Sequence, residues 1–233
     1  MTGAPATGPR RRPTAAGRAA LALYAAAPWS VRAHVAVRWW SAPFVAAAAV
    51  LPAQGRVLEI GCGHGLFAAY AALASPGRTV VGVDIDADKI SVAQEAARRA
   101  AGRSGARLEF DLAESGAVPP GPWDAVAIID MLYLLPASYQ RALLEQAIAE
   151  LSPGGVLVVK EMGVRPRWKV RLNTWQETLS VRVLHLTAGS AFDFVDPVTM
   201  AGWMEAGGLS TARERLDRRR LHPHHLLVGT RPG

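Results

Sequence analysis

The sequence predicts an α/β protein built on a doubly wound sheet, and three observations carry that prediction. From Arg56 to Met162, short runs rich in Val, Ile and Leu alternate with alanine-rich or amphipathic segments of helical length. A triplet of glycines, Gly61, Gly63 and Gly65, stands where the first of those runs gives way to the first of those helices. The chain has 233 residues, 50% of them apolar, which suffices for one sizeable core with extra elements attached.

Taken in order, residues 1–17 are rich in Gly, Pro, Thr and Arg and read as a disordered tail, because they cannot bury enough apolar surface to order themselves. Residues 18–53 read as an N-terminal helical cap of two or three short helices, broken by Pro28 and Pro43. Residues 54–163 form the core. Its strands are VLEI (57–60), TVVGVDI (79–85), ARLEFDL (106–112), WDAVAIID (123–130) and GVLVVKEM (155–162). Its helices are LFAAYAALA (66–74), an amphipathic helix over 87–101 with Ile90, Ala93 and Ala97 inward, and another over 138–152 with Leu143, Leu144, Ile148 and Leu151 inward. Residues 164–199 read as a helical cap insertion, and residues 200–233 as a helix closed by glycine followed by a strand pair over 209–217 and 224–231. No internal repeat is visible.

Charge is unevenly spread. Residues 1–58 hold seven arginines and no acid, residues 59–163 carry a net −5 and residues 164–233 a net +5, which gives the overall +7. Such asymmetry suits contact with a nucleic acid or an anionic membrane, although a general compositional preference for Arg and Ala accounts for it equally well. No stretch is long and apolar enough to span a membrane. Arg10-Arg11-Arg12 followed by the short run Ala19–Ala27 has the outline of a leader peptide, but the core argues for a cytoplasmic protein. One cysteine, Cys62, excludes an internal disulfide.

A Gly-x-Gly-x-Gly turn lets backbone approach a ligand closely, and between a strand end and a helix it lies where open α/β sheets bind nucleotides. The dinucleotide fingerprint spaces its third glycine one residue later, where this chain has Leu66. The tighter spacing, with Glu59 in front, better suits a compact zwitterion. Asp84 ends the second strand, 19 residues after Gly65, placed to accept two ribose hydroxyls. Asp111 ends the third strand, placed for an adenine amino group, and Asp130 ends the fourth. Acids closing successive strands beside such a turn point to a nucleoside-sized site.

Residues 56–162 resemble the class I S-adenosylmethionine-dependent methyltransferase core. Glu59-Ile60-Gly61-Cys62-Gly63-His64-Gly65 matches that family's acidic glycine motif, and Asp84 its second-strand acid. Asp111 matches its third-strand acid, and Leu151-Ser152-Pro153-Gly154-Gly155 the turn before its fifth strand. The resemblance implies a seven-stranded mixed sheet of Rossmann-like type with the last strand reversed. It also implies S-adenosyl-L-methionine as cofactor, held by Glu59, Gly61, Cys62, Gly63, His64, Gly65, Asp84, Ile85, Asp111, Leu112 and Asp130.

Methyl transfer from a sulfonium is an in-line displacement, so alignment and exclusion of water are the main tasks, and a base is needed only for an acceptor that must lose a proton. Asp130, Tyr133, Glu161 and His185 are the candidate catalytic residues, with His64 a further one. Each has a plainer role open to it: Asp130 holding the cofactor's ammonium group, Tyr133 packing over its methionine end, Glu161 pairing with Lys160 or an arginine, His185 packed in a helix. His222, His224 and His225 read as a solvated strand edge rather than a metal site, since no cysteine or acid stands at ligand spacing. Asp130-Met131-Leu132-Tyr133 lacks the paired prolines of relatives that methylate nucleobase amines. Two segments rich in Arg and Trp, 29–40 and 165–175, suit a lid in which Arg38, Arg167, Lys169 and Arg171 meet an anion while Trp39, Trp40, Trp168 and Trp175 form apolar walls. They equally suit a peripheral membrane contact. The expected acceptor is a small-molecule or lipid-like, apolar substrate, acidic in one version. The alternatives are an RNA or protein methyltransferase, favoured by the basic flanks, and a cofactor-binding module without transfer activity.

Overall fold

The computed structural model describes residues 13–104, 106–162, 193–216 and 224–233. Seven strands form one sheet: β1 (Gln54–Ile60), β2 (Gly77–Asp84), β3 (Arg107–Leu112), β4 (Trp123–Ile129), β5 (Leu151–Met162), β6 (Ser210–Arg215) and β7 (His224–Thr230). Their order is β3-β2-β1-β4-β5-β7-β6, with β7 antiparallel to both of its neighbours and the remaining pairs parallel. This is the seven-stranded mixed sheet with a reversed last strand that the resemblance implied. The order reverses at β1, which lies between β2 and β4, so a crevice opens beyond the carboxyl ends of β1 and β4.

Successive strand residues face opposite layers. Val57, Ala125, Ala127 and Ile129 enter one core with α1 (Ala15–Ala22), α3 (Phe44–Ala49), α4 (Leu66–Ala74) and α5 (Ala87–Ser104). Leu58, Ile60, Val126 and Ile128 enter the other with α6 (Ala137–Ala149) and α7 (Pro197–Ala206). Helix α4 is apolar all round because it is covered all round: seven of its residues are buried. Its small side chains let α1 lie close, and Ala20, Leu23 and Tyr24 share its core.

Several boundaries differ from expectation. Thr14 caps α1 through its hydroxyl, which accepts from Gly17 N at 3.0 Å, so helix begins inside the segment expected to be a tail; residues 1–12 lie outside the described residues. Helices α1 and α3 are layers of the core, and α2 (Trp29–Ser41) adds Val35 and Trp39 to it while its Arg38 reaches Asp130 at the end of β4. Leu151, expected at the end of α6, instead pairs with Trp123 in β5, with an irregular register just after it. Its burial satisfies either assignment, so the apolar pattern did not separate them. Helix α7 starts at Pro197, capped by Asp196, whose carboxylate accepts from Val198 N at 2.8 Å, so the expected end of the insertion at 199 falls within a helix. Residues 164–192 of that insertion lie outside the described residues. No helix among the described residues is long and apolar enough to cross a membrane.

Candidate functional site

The glycine turn is built from positive backbone angles. Gly61, Gly63 and Gly65 have φ of 74°, 55° and 77°, a region that L-residues enter only at a cost. Gly61 N and Cys62 N both donate to Val83 O, at 2.8 and 3.0 Å, which ties the turn to the end of β2. A side chain at Gly61 would strike Met131 and one at Gly65 would strike Phe110. At Gly63 a side chain would meet nothing closer than Lys89 Cδ at 4.0 Å. The turn is thus packed tight at both ends and open in the middle, the cradle a closely approaching ligand requires.

Asp84 faces that opening. Its Oδ2 accepts from Gly63 N at 2.7 Å and its Oδ1 from Asp86 N at 3.0 Å. A carboxylate offers about four lone-pair directions, so both oxygens retain capacity for a pair of hydroxyls. Two large apolar side chains stand exposed at the same edge: Ile85, 43% accessible, and Leu112, 59% accessible, whose backbone is in register with Asp84. Exposed apolar residues flanking an acid suit an aromatic base held between them. Asp111 is exposed on the same strand end, opposite Val83. An open glycine, an acid with spare acceptors and two unpacked apolar walls fit the ribose and adenine of S-adenosylmethionine.

Glu59 is buried beneath the turn, where its Oε2 accepts from Ala68 N in the first turn of α4 at 2.9 Å. Burial raises its pKa to about 8 against the hydrogen bond from Ala68 and the Arg38 charge. Its place is behind the glycines, holding α4 to β1. Cys62 is likewise buried, its thiol pushed up by burial, and it contributes backbone rather than a reactive group.

Asp130 leaves β4 with φ of 54°, uncommon for a non-glycine residue. Three contacts hold it there. Its N–H donates to Lys160 O at 2.8 Å, Lys160 Nζ pairs with Oδ1, and Arg38 Nη1 pairs with Oδ2 at 3.0 Å. Burial raises the carboxyl pKa, but the Lys160 and Arg38 charges outweigh it and leave the group more acidic than usual. A carboxylate held this way is a poor base. Glu161 does not pair with Lys160 by hydrogen bond. Its Oε1 accepts from Met131 N at 3.2 Å and Leu132 N at 2.9 Å, while Oε2 is buried with no hydrogen-bond partner. Burial and the Asp130 charge raise its pKa to about 8, so it is mostly neutral at pH 7. Tyr133 is buried and stacks on Phe194, ring centroids 5.3 Å apart, which docks the end of the expected insertion onto the β4–α6 connection.

The N-terminal helices close on the same turn. Tyr24 donates its hydroxyl to His64 O at 2.6 Å, and the His34 ring lies against the His64 ring with centroids 4.9 Å apart. Burial lowers both histidine pKa values, that of His34 to about 4. His64 therefore serves the site through its carbonyl and its packing. Trp39 is no wall of a lid: it is buried against Phe44 and Tyr70 and over Gly17. Trp40 points outward, 57% accessible. Arg38 is engaged by Asp130 instead of standing free for an acceptor. His185, Arg165, Arg167, Trp168, Lys169, Arg171 and Trp175 lie outside the described residues, as does His222. His224 is buried in β7, which lies inside the sheet between β5 and β6, so the expected solvated strand edge is not found there. No group of potential metal ligands occurs among the described residues.

Sequence reasoning missed three of these features. Lys160 was visible as a lone cation in an apolar strand, a signal that it must be paired. The latch from Tyr24 and the reach of Arg38 join residues 40 and 92 positions apart and leave no local trace.

The family model for a methyltransferase domain matches residues 32–213. The chain is 27% identical over 194 residues to a ubiquinone biosynthesis O-methyltransferase of Xanthomonas axonopodis pv. citri, covering 76% of this chain and 77% of that protein. It is 29% identical over 139 residues to a fatty-acid O-methyltransferase of Mycolicibacterium smegmatis, covering 60% of this chain and just 47% of that protein. Among solved structures, magnesium protoporphyrin IX methyltransferase from Synechocystis, with bound S-adenosylhomocysteine, superposes with a TM-score of 0.60 at 19% identity, over 87% of this chain and 82% of that one. An O-methyltransferase family protein from Burkholderia thailandensis gives 0.62 at 21% identity, over 85% of this chain and 57% of that one. With the motif, the sheet order and the matched domain in agreement, the chain belongs to the S-adenosylmethionine-dependent methyltransferases.

Proposed function

We propose that the protein methylates an acidic oxygen, such as a carboxylate, on a small apolar or lipid-like acceptor. The observation that carries this reading is the charge balance beside the crevice. Asp130 meets two basic groups, Arg38 and Lys160; burial lowers the Lys160 pKa against the pull of the Asp130 charge, and burial also keeps Glu161 mostly protonated at pH 7. The cluster thus holds more basic groups than ionised acids, and an anionic group entering the crevice would be drawn to it. Asp130, held by Lys160 and Arg38, is a poor base, which suits an acceptor that is already ionised and needs no proton removed. Two relatives are named for O-methylation, one in ubiquinone biosynthesis and one of fatty acids, which supports oxygen as the acceptor atom and an apolar acceptor body.

Bound S-adenosylmethionine supplies a methyl group on a sulfonium, ready for in-line displacement. The chain's own residues orient and enclose: the glycine turn and Asp84 set the position of the nucleoside, Asp130 sets the charge near the methionine end, and α2 covers the crevice through Arg38. Incubating the protein and methyl-labelled cofactor with a cell extract, separated into lipid, small-molecule, RNA and protein fractions, tests the reading. Label in the lipid or small-molecule fraction as a base-labile ester supports it. Label confined to RNA or protein overturns the acceptor class, and binding of the cofactor with no labelled product overturns transfer itself.

A further inference from the structure

Helix α2 has two faces with opposite duties. Val35 and Trp39 are buried, and Arg38 reaches Asp130. On the other side Trp29 is 80% accessible, Trp40 57% and Val37 51%, with Ala33 exposed between them. At about 100° per residue these four positions fall within an arc of about 80°. Val45, at the start of α3, is exposed as well. Single exposed apolar residues are ordinary, but a continuous stripe holding two tryptophans is not, because each Trp left in water forgoes a large burial.

The charge of the segment that carries the stripe is of one sign. Arg32 is exposed on its margin, Arg18 is exposed on α1, and residues 1–58 contain seven arginines and no acid. We propose that the outer face of α2 docks on an anionic lipid bilayer, with Trp29 and Trp40 at the boundary between headgroups and acyl chains and Arg32 against lipid phosphate. Tryptophan prefers that boundary, and an interfacial helix with cationic margins gains both apolar burial and attraction to the surface charge. A second copy of the chain is a poorer occupant. Two-fold pairing through α2 would set one arginine-only surface against another, with no acid in the segment to relieve it.

The docking stands whatever the acceptor is. It adds to the proposed function by one step: α2 would then join the membrane to the crevice, its outer face in lipid and its Arg38 beside the site where an apolar acceptor must arrive.

The test is co-sedimentation of the full chain with vesicles of phosphatidylcholine alone or mixed with phosphatidylglycerol. The expected result is binding to the mixed vesicles that weakens steeply with salt, and a drop of about tenfold or more in the variant carrying Trp29→Ser and Trp40→Ser. Affinity for S-adenosylmethionine, measured by calorimetry without vesicles, is expected to be unchanged in that variant, which separates docking from the methyltransferase reading. Arg32→Glu should weaken binding to the anionic vesicles further. Failure of the natural chain to bind the mixed vesicles overturns the proposal, as does equal binding by the double variant. So does a sedimentation-velocity dimer that the double variant dissolves, since the stripe would then be covered by another copy.

Discussion

Replacing Glu59 by Gln probes the turn from behind. Its carboxyl has an ordinary pKa of 4.5 and one of about 8 in the folded protein, with burial the leading cause. The folded state therefore holds a proton that the unfolded state releases between those values, and stability falls as pH rises through that window. Each pH unit costs about 1.4 kcal/mol for one such group, with a ceiling of roughly 5 kcal/mol across the whole interval. Glu161, also raised to about 8, adds a second contribution of the same sign. Glutamine retains a carbonyl oxygen for Ala68 N but cannot titrate. Urea unfolding between pH 5 and 9 should show a slope shallower by about one proton in the Glu59→Gln variant than in the natural chain, whatever the absolute stabilities. A cationic cofactor near Glu59 favours the ionised form, so affinity in the natural chain should rise toward pH 8 and rise less in the variant. Identical stability slopes in the two proteins would refute the buried, protonated carboxyl.

The other expectations are narrower. Gly63→Ala should fold, since space is open there, yet lose about 1–2 kcal/mol to its positive φ and bind cofactor worse, whereas Gly65→Ala meets Phe110 and should lower Tm more; thermal melts and calorimetry together separate the two. Asp84→Ala should weaken cofactor binding by about 1–3 kcal/mol by calorimetry, and an unchanged affinity would remove Asp84 from the ribose site. Lys160→Met leaves Asp130 with one cation in a buried site and should destabilise by about 3–5 kcal/mol in denaturant, an effect that Asp130→Asn in the same chain should partly relieve. Tyr24→Phe removes one hydrogen bond to His64 O and should cost about 1 kcal/mol of stability and also reduce the rise in Tm on adding cofactor; a lowered Tm with an unchanged cofactor-induced rise would make Tyr24 a core residue only.

The parts of the fold that could be read in advance are those whose signals are local. Helix α4 spans the expected residues because a left-handed glycine, Gly65, stands at its start and every following residue is apolar. The strand ends carrying Asp84, Asp111 and Asp130 were legible from period and composition alone. Where two neighbours satisfied the same pattern, reading stalled. Leu151 is apolar enough to end α6 or begin β5, and only its pairing with Trp123 decides. His224 looked like a surface residue because nothing nearby in sequence shows that β6 covers its flank of the sheet. Arg78 gave no hint either, although it is buried and donates to Pro52 O, Ala71 O, Ala48 O and Leu51 O. Those four carbonyls come together only after α3 and α4 have packed.

The same distinction bears on the site itself. The residues that would touch the cofactor lie within the span from Glu59 to Asp130, on adjacent parallel strands, and sheet topology alone brings them together. The residues that set their charge and rigidity come from elsewhere: Lys160 from β5, Tyr24 from the turn after α1, and His34 and Arg38 from α2. An acid at the end of β4 in water would be an ordinary carboxylate. Buried between Lys160 and Arg38 it becomes a fixed dipole source that need not reorganise during reaction, the condition under which electrostatic stabilisation is most effective. That arrangement is complete only when α2 is in place, since one of the two cations is carried there. A helix that completes the charge of the crevice with one face and offers tryptophan to its surroundings with the other links what the protein touches to what it can bind.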